Sequence, residues 1–315
     1  MVALLASLSV APASEYPNKA IKLIVPNAAG GPADVFARIL ADALNVELGQ
    51  SVIVENRTGA GGITAYAITA IAAPDGYTLV IVDPSIAILP SLYDNLSYDV
   101  EKDLTPISLV VRGTTVLVAG KSLEANNPVE LVALAKREPG KLTYGSAGIG
   151  SFPHLNAELF KLVNGIEVQH VPYRGGSPAL TDLVAGRIDL SFLNAGTVRT
   201  YIEDGSIKAL AVSGKQRTAK LPNVPTYYEA GLPMPQFDRG SWWGIMGPAK
   251  LPAEIQGRLN EAVGKALKNP QLLKRFDEMS AETLPSTARE FSELIAAERS
   301  KWADVVGRAK IKLDQ

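Results

Sequence analysis

The chain has 315 residues, more than one simple core accommodates and enough for two domains. Its 31 basic and 32 acidic residues give a net charge of −1 with no block of like charge, so it lacks the electrostatic footprint of a nucleic-acid binder. There is no cysteine, which excludes disulfides, thiolate catalysis and cysteine-ligated zinc, and two histidines, His154 and His170, argue against a multi-histidine metal site. No metal and no cofactor are expected.

The first residues form a small apolar run that reaches Ala11-Pro12-Ala13, an A-x-A cleavage pattern. Residues 1–14 read as the back half of a secretory signal whose basic n-region is missing, since the first cation is Lys19. A core-like N-terminal segment is the other reading. The run is far short of the ~20 apolar residues that cross a bilayer, and no later segment qualifies, so no membrane insertion is expected.

Strands and helices then alternate. Ile21–Val25 reads as a buried strand, and Val35, Phe36, Ile39, Leu40 and Leu44 recur at helical spacing behind it. Residues 51–55 are a second strand. Gly59-Ala60-Gly61-Gly62 turns into a helix over residues 63–73, ended by Pro74-Asp75-Gly76. Thr78–Val82 is a third strand, and this β-α-β-α-β order predicts parallel strands with right-handed crossovers. A second α/β unit starts near residue 118. Its strands are predicted at 116–119, 142–144, 168–171 and 189–193, and its helices at 129–137, 155–163 and 179–185. Residues 217–240, rich in Pro and Gly, read as a surface excursion. Residues 242–246 read as one more strand, and helices over 253–267 and 288–306 close the chain.

The predicted organisation is one lobe from residues 15–117 plus 241–315 and a second from 118–240. A chain that visits a second domain and returns crosses twice, which makes a hinge, and the cleft between the lobes is a natural ligand site.

Two turns in that scheme share one construction. Pro26-Asn27-Ala28-Ala29-Gly30-Gly31-Pro32-Ala33-Asp34 follows the first strand, and Tyr144-Gly145-Ser146-Ala147-Gly148-Ile149-Gly150-Ser151-Phe152-Pro153-His154 follows a strand of the second unit. Each runs from a strand through small residues into an amphipathic helix, an arrangement that aims free backbone N–H groups and a helix dipole at one spot. Pro32 suits the first helical position, Asp34 the first turn, and Ser151 an N-cap. A plain tight connection is the alternative for the first turn. His154 is expected to cap or pack. Arg57 and Arg174 are possible cleft cations or ordinary surface residues, and Trp242 and Trp243 pack the hinge strand, unless one lines the cleft.

Enzyme motifs fail on inspection. Gly120-Lys121-Ser122 has Thr115 where a phosphate-binding loop needs glycine, Gly59-Ala60-Gly61-Gly62-Ile63-Thr64 has Thr64 where a dinucleotide fingerprint needs Gly or Ala, and Gly175-Gly176-Ser177-Pro178-Ala179 misses the nucleophile elbow by its last residue. No paired nucleophile and base stands out, so no catalysis is expected.

Five runs carry a family resemblance. They are residues 26–38; Val54-Glu55-Asn56-Arg57-Thr58-Gly59-Ala60-Gly61-Gly62 with Pro74-Asp75-Gly76-Tyr77; residues 144–155; His170-Val171-Pro172-Tyr173-Arg174-Gly175 with residues 178–189; and Leu221-Pro222-Asn223-Val224-Pro225-Thr226 with Glu229-Ala230-Gly231-Leu232-Pro233. In this order, from Tyr16 to near Trp302, the chain resembles the substrate-binding receptors of tripartite tricarboxylate transporters, the Bug family. The resemblance implies an α/β, type II-like Venus flytrap of the periplasmic binding-protein class. Each lobe would be a mainly parallel sheet flanked by helices. It also implies a monomeric periplasmic receptor that gives a small carboxylate to a two-subunit membrane permease. Carried over residue by residue, Ala28, Ala29, Gly30, Gly31 and Asp34 would line one jaw, and Ser146, Ala147, Gly148, Gly150 and Ser151 the other. Ser85 and Asn194 would meet the variable end of the ligand; Tyr173, and His154 in the helical turn after Ser151, are further candidates. Asn27 stands where the family usually has an aromatic residue, and its amide would favour a more polar ligand. A carboxylate sensor signalling to a membrane partner, and an enzyme acting on a small acid, are the rival readings.

Overall fold

The computed structural model describes residues 16–309, so the expected signal segment lies outside the described residues. Among the described residues, eleven strands form two sheets. The first has the order β11-β4-β10-β3-β1-β2 and is built from β1 (Ile21–Val25), β2 (Val52–Asn56), β3 (Thr78–Val82), β4 (Leu104–Gly113), β10 (Ser241–Pro248) and β11 (Ala281–Thr283). The second has the order β7-β6-β8-β5-β9, from β5 (Thr115–Gly120), β6 (Thr143–Ser146), β7 (Gln169–Pro172), β8 (Leu190–Asn194) and β9 (Ile207–Val212). Flanking the first sheet are α1 (Pro32–Leu48), α2 (Ile63–Ala70), α3 (Ser85–Leu92), α8 (Ala253–Ala266), α9 (Pro270–Glu278) and α10 (Ala288–Ala309). Flanking the second are α4 (Pro128–Arg137), α5 (Phe152–Asn164), α6 (Gly176–Val184) and α7 (Ala195–Glu203).

The parallel pairing of β1 with β2 and with β3 is the predicted one. Neither sheet is mainly parallel, however. β4 and β10 run antiparallel to each other, β10 runs antiparallel to β3, and β5 runs antiparallel to both β8 and β9. The physical reason is the double crossing. The chain leaves the first sheet along β4 and comes back along β10, so these neighbours must point in opposite directions. β4 ends at Gly113, β5 (which contains residue 118) starts at Thr115, and β10 starts at Ser241.

Pattern reading missed β4, β9, β11, α3, α7 and α9. In β4, Pro106 cannot donate to a ladder, and it sits opposite Met246 next to a register irregularity, where a proline is tolerated. α3 is short and carries Pro90, and α9 starts with Pro270 behind an Asn269 cap that accepts from the Gln271 and Leu272 amides.

Apolar burial follows the two-sheet plan. Phe36, Leu40, Leu44 and Trp243 pack on one face of the first sheet, and Tyr66, Ile86, Trp242 and Phe291 on the other. The second unit's core joins Leu117, Tyr144, Phe160 and Phe192 to Ile88 and Leu92 of α3 and to Trp302, Val305 and Val306 of α10. The two units therefore share buried surface beyond the crossings. No helix among the described residues is long and apolar enough to cross a membrane.

Candidate functional site

The carboxyl ends of parallel strands are where open α/β sheets hold ligands. β1 ends at the first small-residue turn. Asn56, at the end of β2, staples this turn by donating from Nδ2 to the Asn27 carbonyl and to Asp34 Oδ1, both 2.9 Å. Asp34 is buried and also accepts from the Gly30 amide and from Arg38. Burial alone would raise its pKa; the bonds from Arg38, Gly30 and Asn56 outweigh that and hold it below the usual carboxylate value. Asp34 thus shapes the jaw and consumes the Gly30 amide rather than offering a free oxygen. Exposed Ala28 and Ala29 keep amides for which the described residues supply no acceptor.

The second turn is similarly self-braced. Ser146 is fully buried, and its Oγ lies 3.1 Å from the Gly148 amide and 2.7 Å from His170 Nε2. Ser151 takes the N-cap position of α5 but makes no side-chain cap; its hydroxyl donates instead to the Gly148 carbonyl at 2.6 Å. His154 Nδ1 accepts from the Gly150 amide, and the ring stacks with Tyr144 and His170. It caps and packs, with its pKa lowered to about 4 by burial. With the Gly148, Gly150 and Ser151 amides committed inside the turn, the amides without a described acceptor are those of Ala147 and Ile149. Ile149 was not among the expected residues. Its side chain is exposed and apolar, so only its backbone geometry reveals it.

A loop of the first unit approaches the second turn. The loop after β2 lies beside the first turn, since the Arg57 amide donates to the Val25 carbonyl. A Cβ placed on Gly61 of that loop would stand 3.6 Å from the Ile149 carbonyl oxygen and 3.8 Å from the Gly150 carbonyl carbon. Near the hinge, a Cβ on Gly113 would lie 2.5 Å from Asn194 Nδ2 and 3.0 Å from Trp243 Cζ3, so residues of both units crowd one point. Asn194 caps α7, its Oδ1 accepting from the Gly196 amide, while its Nδ2 and the Trp243 indole nitrogen are buried donors without a partner. Asn27 Oδ1 is a buried acceptor without one. Buried polar atoms are nearly always paired, so these three, among the buried side-chain atoms without a partner in the described residues, are candidates to meet a bound molecule.

Other expected residues sit differently. The Tyr173 hydroxyl donates to Asp182 at 2.8 Å, so it faces α6, and burial, with this bond, pushes its pKa up to about 12. Ser85 is buried and bonded to Tyr66 and Asp83. Arg57 forms a surface pair with Glu55, and Arg174 is exposed. Asp83, directly after β3, was missed; a charged residue ending the apolar run Leu79–Val82 was the available signal. No cluster of potential metal ligands occurs among the described residues.

Comparison with known proteins adds to this geometry. The model of the tripartite tricarboxylate transporter family receptor matches residues 36–311. Protein BugT of Bordetella pertussis is 36% identical over 303 residues, covering 96% of this chain and 92% of that protein. Among solved structures, Rpa4515 of R. palustris with adipate superposes with a TM-score of 0.88 at 34% identity, covering 95% of this chain and all of that one. The periplasmic binding protein BugD gives 0.87 at 31%, again 95% and 100%. MatC of Rhodopseudomonas palustris with bound malate gives 0.86 at 31%, covering 92% and 100%. A two-lobed α/β fold and a family match over most of its length place this chain in the tripartite tricarboxylate transporter receptor family, whose members are solute-binding proteins rather than enzymes.

Proposed function

We propose that this chain is an exported, monomeric periplasmic receptor that closes on a small carboxylate and delivers it to a two-subunit membrane permease. The observation that carries the reading is a pair of amide sets without a described acceptor, Ala28 with Ala29 and Ala147 with Ile149, one in the small-residue turn of each unit; in this proposal they face each other across the cleft. Four donors from two rigid turns fit the two oxygens of a carboxylate without an arginine. At ~1.5–3 kcal/mol per charge-assisted bond, they account for micromolar affinity, about −8 kcal/mol, after ordering costs. Adipate and malate in the similar structures support an acid as the ligand class. In this proposal the lobes meet at 113–115 and 240–241. Ala28, Ala29, Ala147 and Ile149 hold the acid group, and Asn194 and Trp243 meet its neighbouring atoms. Asn27, Gly30, Gly31, Asp34, Ser146, Gly148, Gly150, Ser151 and His154 set the shape of the jaws.

A thermal-shift screen of mono-, di- and tricarboxylates tests this, followed by titration calorimetry on each hit. A true ligand at 100 times its Kd stabilises the protein by about 2.7 kcal/mol. A screen in which no acid shifts the transition, while the protein is folded, refutes the receptor reading. For delivery, the assay is uptake of the identified acid by cells with and without this gene.

A further inference from the structure

Asp83 is a carboxylate that the two-turn grip does not explain. It follows β3 at the cleft end of the first sheet. Extending the register of Ile24 with Val80 brings it level with Asn27, and extending that of Gly244 with Val82 brings it level with Trp243. Its Oδ1 accepts from the Ser85 amide at 2.9 Å and from the Ser85 hydroxyl, which in turn bonds Tyr66. The Tyr66 ring and hydroxyl lie against Gly62, so this group sits directly behind the loop that touches Ile149. The groups that act on Asp83 are neutral: Ser85 and Tyr66 hydrogen-bond it, Tyr98 lies near, and no lysine or arginine pairs with it among the described residues. Burial accordingly raises its pKa. A half-buried carboxylate without a cation is costly, and such groups are normally paired. A second acceptor, Asn27 Oδ1, waits unpaired at the same level of the adjacent strand.

We propose that Asp83 is a specificity-determining residue and that the ligand carries, beside the carboxylate held by the turns, an ammonium group that pairs with Asp83. This rests on the receptor reading above and narrows its substrate class from acids in general to zwitterionic, amino-acid-like acids. A ligand with a second carboxylate at this point would set two anions against each other in a poorly solvated place, whereas an ammonium supplies the missing charge and up to three donors for Asp83 and Asn27.

The test is calorimetry with acids of matched skeleton: butyrate, 2-hydroxybutyrate, 2-aminobutyrate, 4-aminobutyrate and succinate, and the corresponding five- and six-carbon sets. Wild type and Asp83→Asn are titrated side by side. The expected result is that in at least one skeleton an amino member binds wild type about tenfold or more tighter than both its dicarboxylate and its unsubstituted partner, and that Asp83→Asn removes this preference. Asparagine is nearly isosteric and relieves a buried charge, so the variant is expected to fold with an unchanged or higher Tm. If a dicarboxylate binds wild type tightest and Asp83→Asn leaves the ranking alone, the inference is overturned while the receptor reading stands. If no acid of any set binds the folded wild type, both fall together.

Discussion

At Gly148 the backbone has φ +116°, and an added Cβ would lie 3.2 Å from the Tyr173 carbonyl oxygen, an atom that cannot swing away. Gly148→Val must therefore reshape the second turn and redirect the Ala147 and Ile149 amides. The expected outcome is loss of acid binding with unchanged far-UV circular dichroism and a destabilisation of about 1–3 kcal/mol. Normal affinity in this variant would remove the second jaw from the site. The histidines behind the same turn set a pH limit. Burial lowers His170 as well as His154 to about 4, with Glu158 pulling both upward and Lys161 downward. The unfolded chain takes up protons on these rings below about 6.5, whereas the folded chain does not until about 4. Stability is thus fully present above the unfolded value and is lost as pH falls through that window, at up to about 1.4 kcal/mol per pH unit per ring. Urea midpoints from pH 7 to 4.5 check this, and a flat profile for the wild type would contradict it. Below about 4, a protonated His154 Nδ1 can no longer accept from Gly150, so the turn itself comes apart.

Among the elements, α10 has the widest structural reach. It starts against α3 and β4 of the first unit and ends with Trp302, almost fully buried in the core of the second. The Trp302 indole donates to Glu298 at 3.0 Å, and its ring lies edge-on to Phe152, the first residue of α5 and the base of the second turn. Trp302→Ala is expected to cost about 3–5 kcal/mol, read from the urea midpoint, because the cavity opens between two units that cannot both collapse into it. A cost under about 1 kcal/mol would mean that α10 is not a structural bridge. Elements of this kind explain what the sequence disclosed. β1, β3 and α1 were legible because a buried parallel strand is a continuous apolar run and an amphipathic helix repeats at 3.6 residues. The antiparallel sense of β4, β5 and β10 was not, because strand direction follows from the crossings, which no local pattern encodes. At the site, the small residues of the two turns announced free backbone. Which amides stay free depends on long-range bonds such as Asn56 to Asp34 and His170 to Ser146, so Ile149 came to light only in three dimensions.

For the whole molecule, the proposed function depends on how the two units meet, and one close approach tests it. Gly196, at the start of α7 in the second unit, lies so near Met279 at the end of α9 in the first that a Cβ there would collide with the Met279 carbonyl oxygen and main-chain carbons. The nearby Lys220–Asp277 pair spans the same seam at 2.6 Å, but its carboxylate is largely exposed, so it adds little. Gly196 is also the residue whose amide Asn194 caps, which ties this seam to the end of β8. Gly196→Val leaves both cores untouched and adds bulk only where the units touch. If ligand binding requires closure along this seam, the variant pays for binding by holding the seam apart, and apparent affinity falls with the population of the closed state. An added cost of about 2 kcal/mol corresponds to about 30-fold weaker binding. The expected result is therefore a Tm near that of the wild type without ligand, a Kd raised at least about tenfold, and a larger radius of gyration by small-angle scattering at saturating ligand. Wild-type affinity together with wild-type compaction in this variant would show that the seam is not part of closure, and the hinge would then have to be sought at the crossings alone.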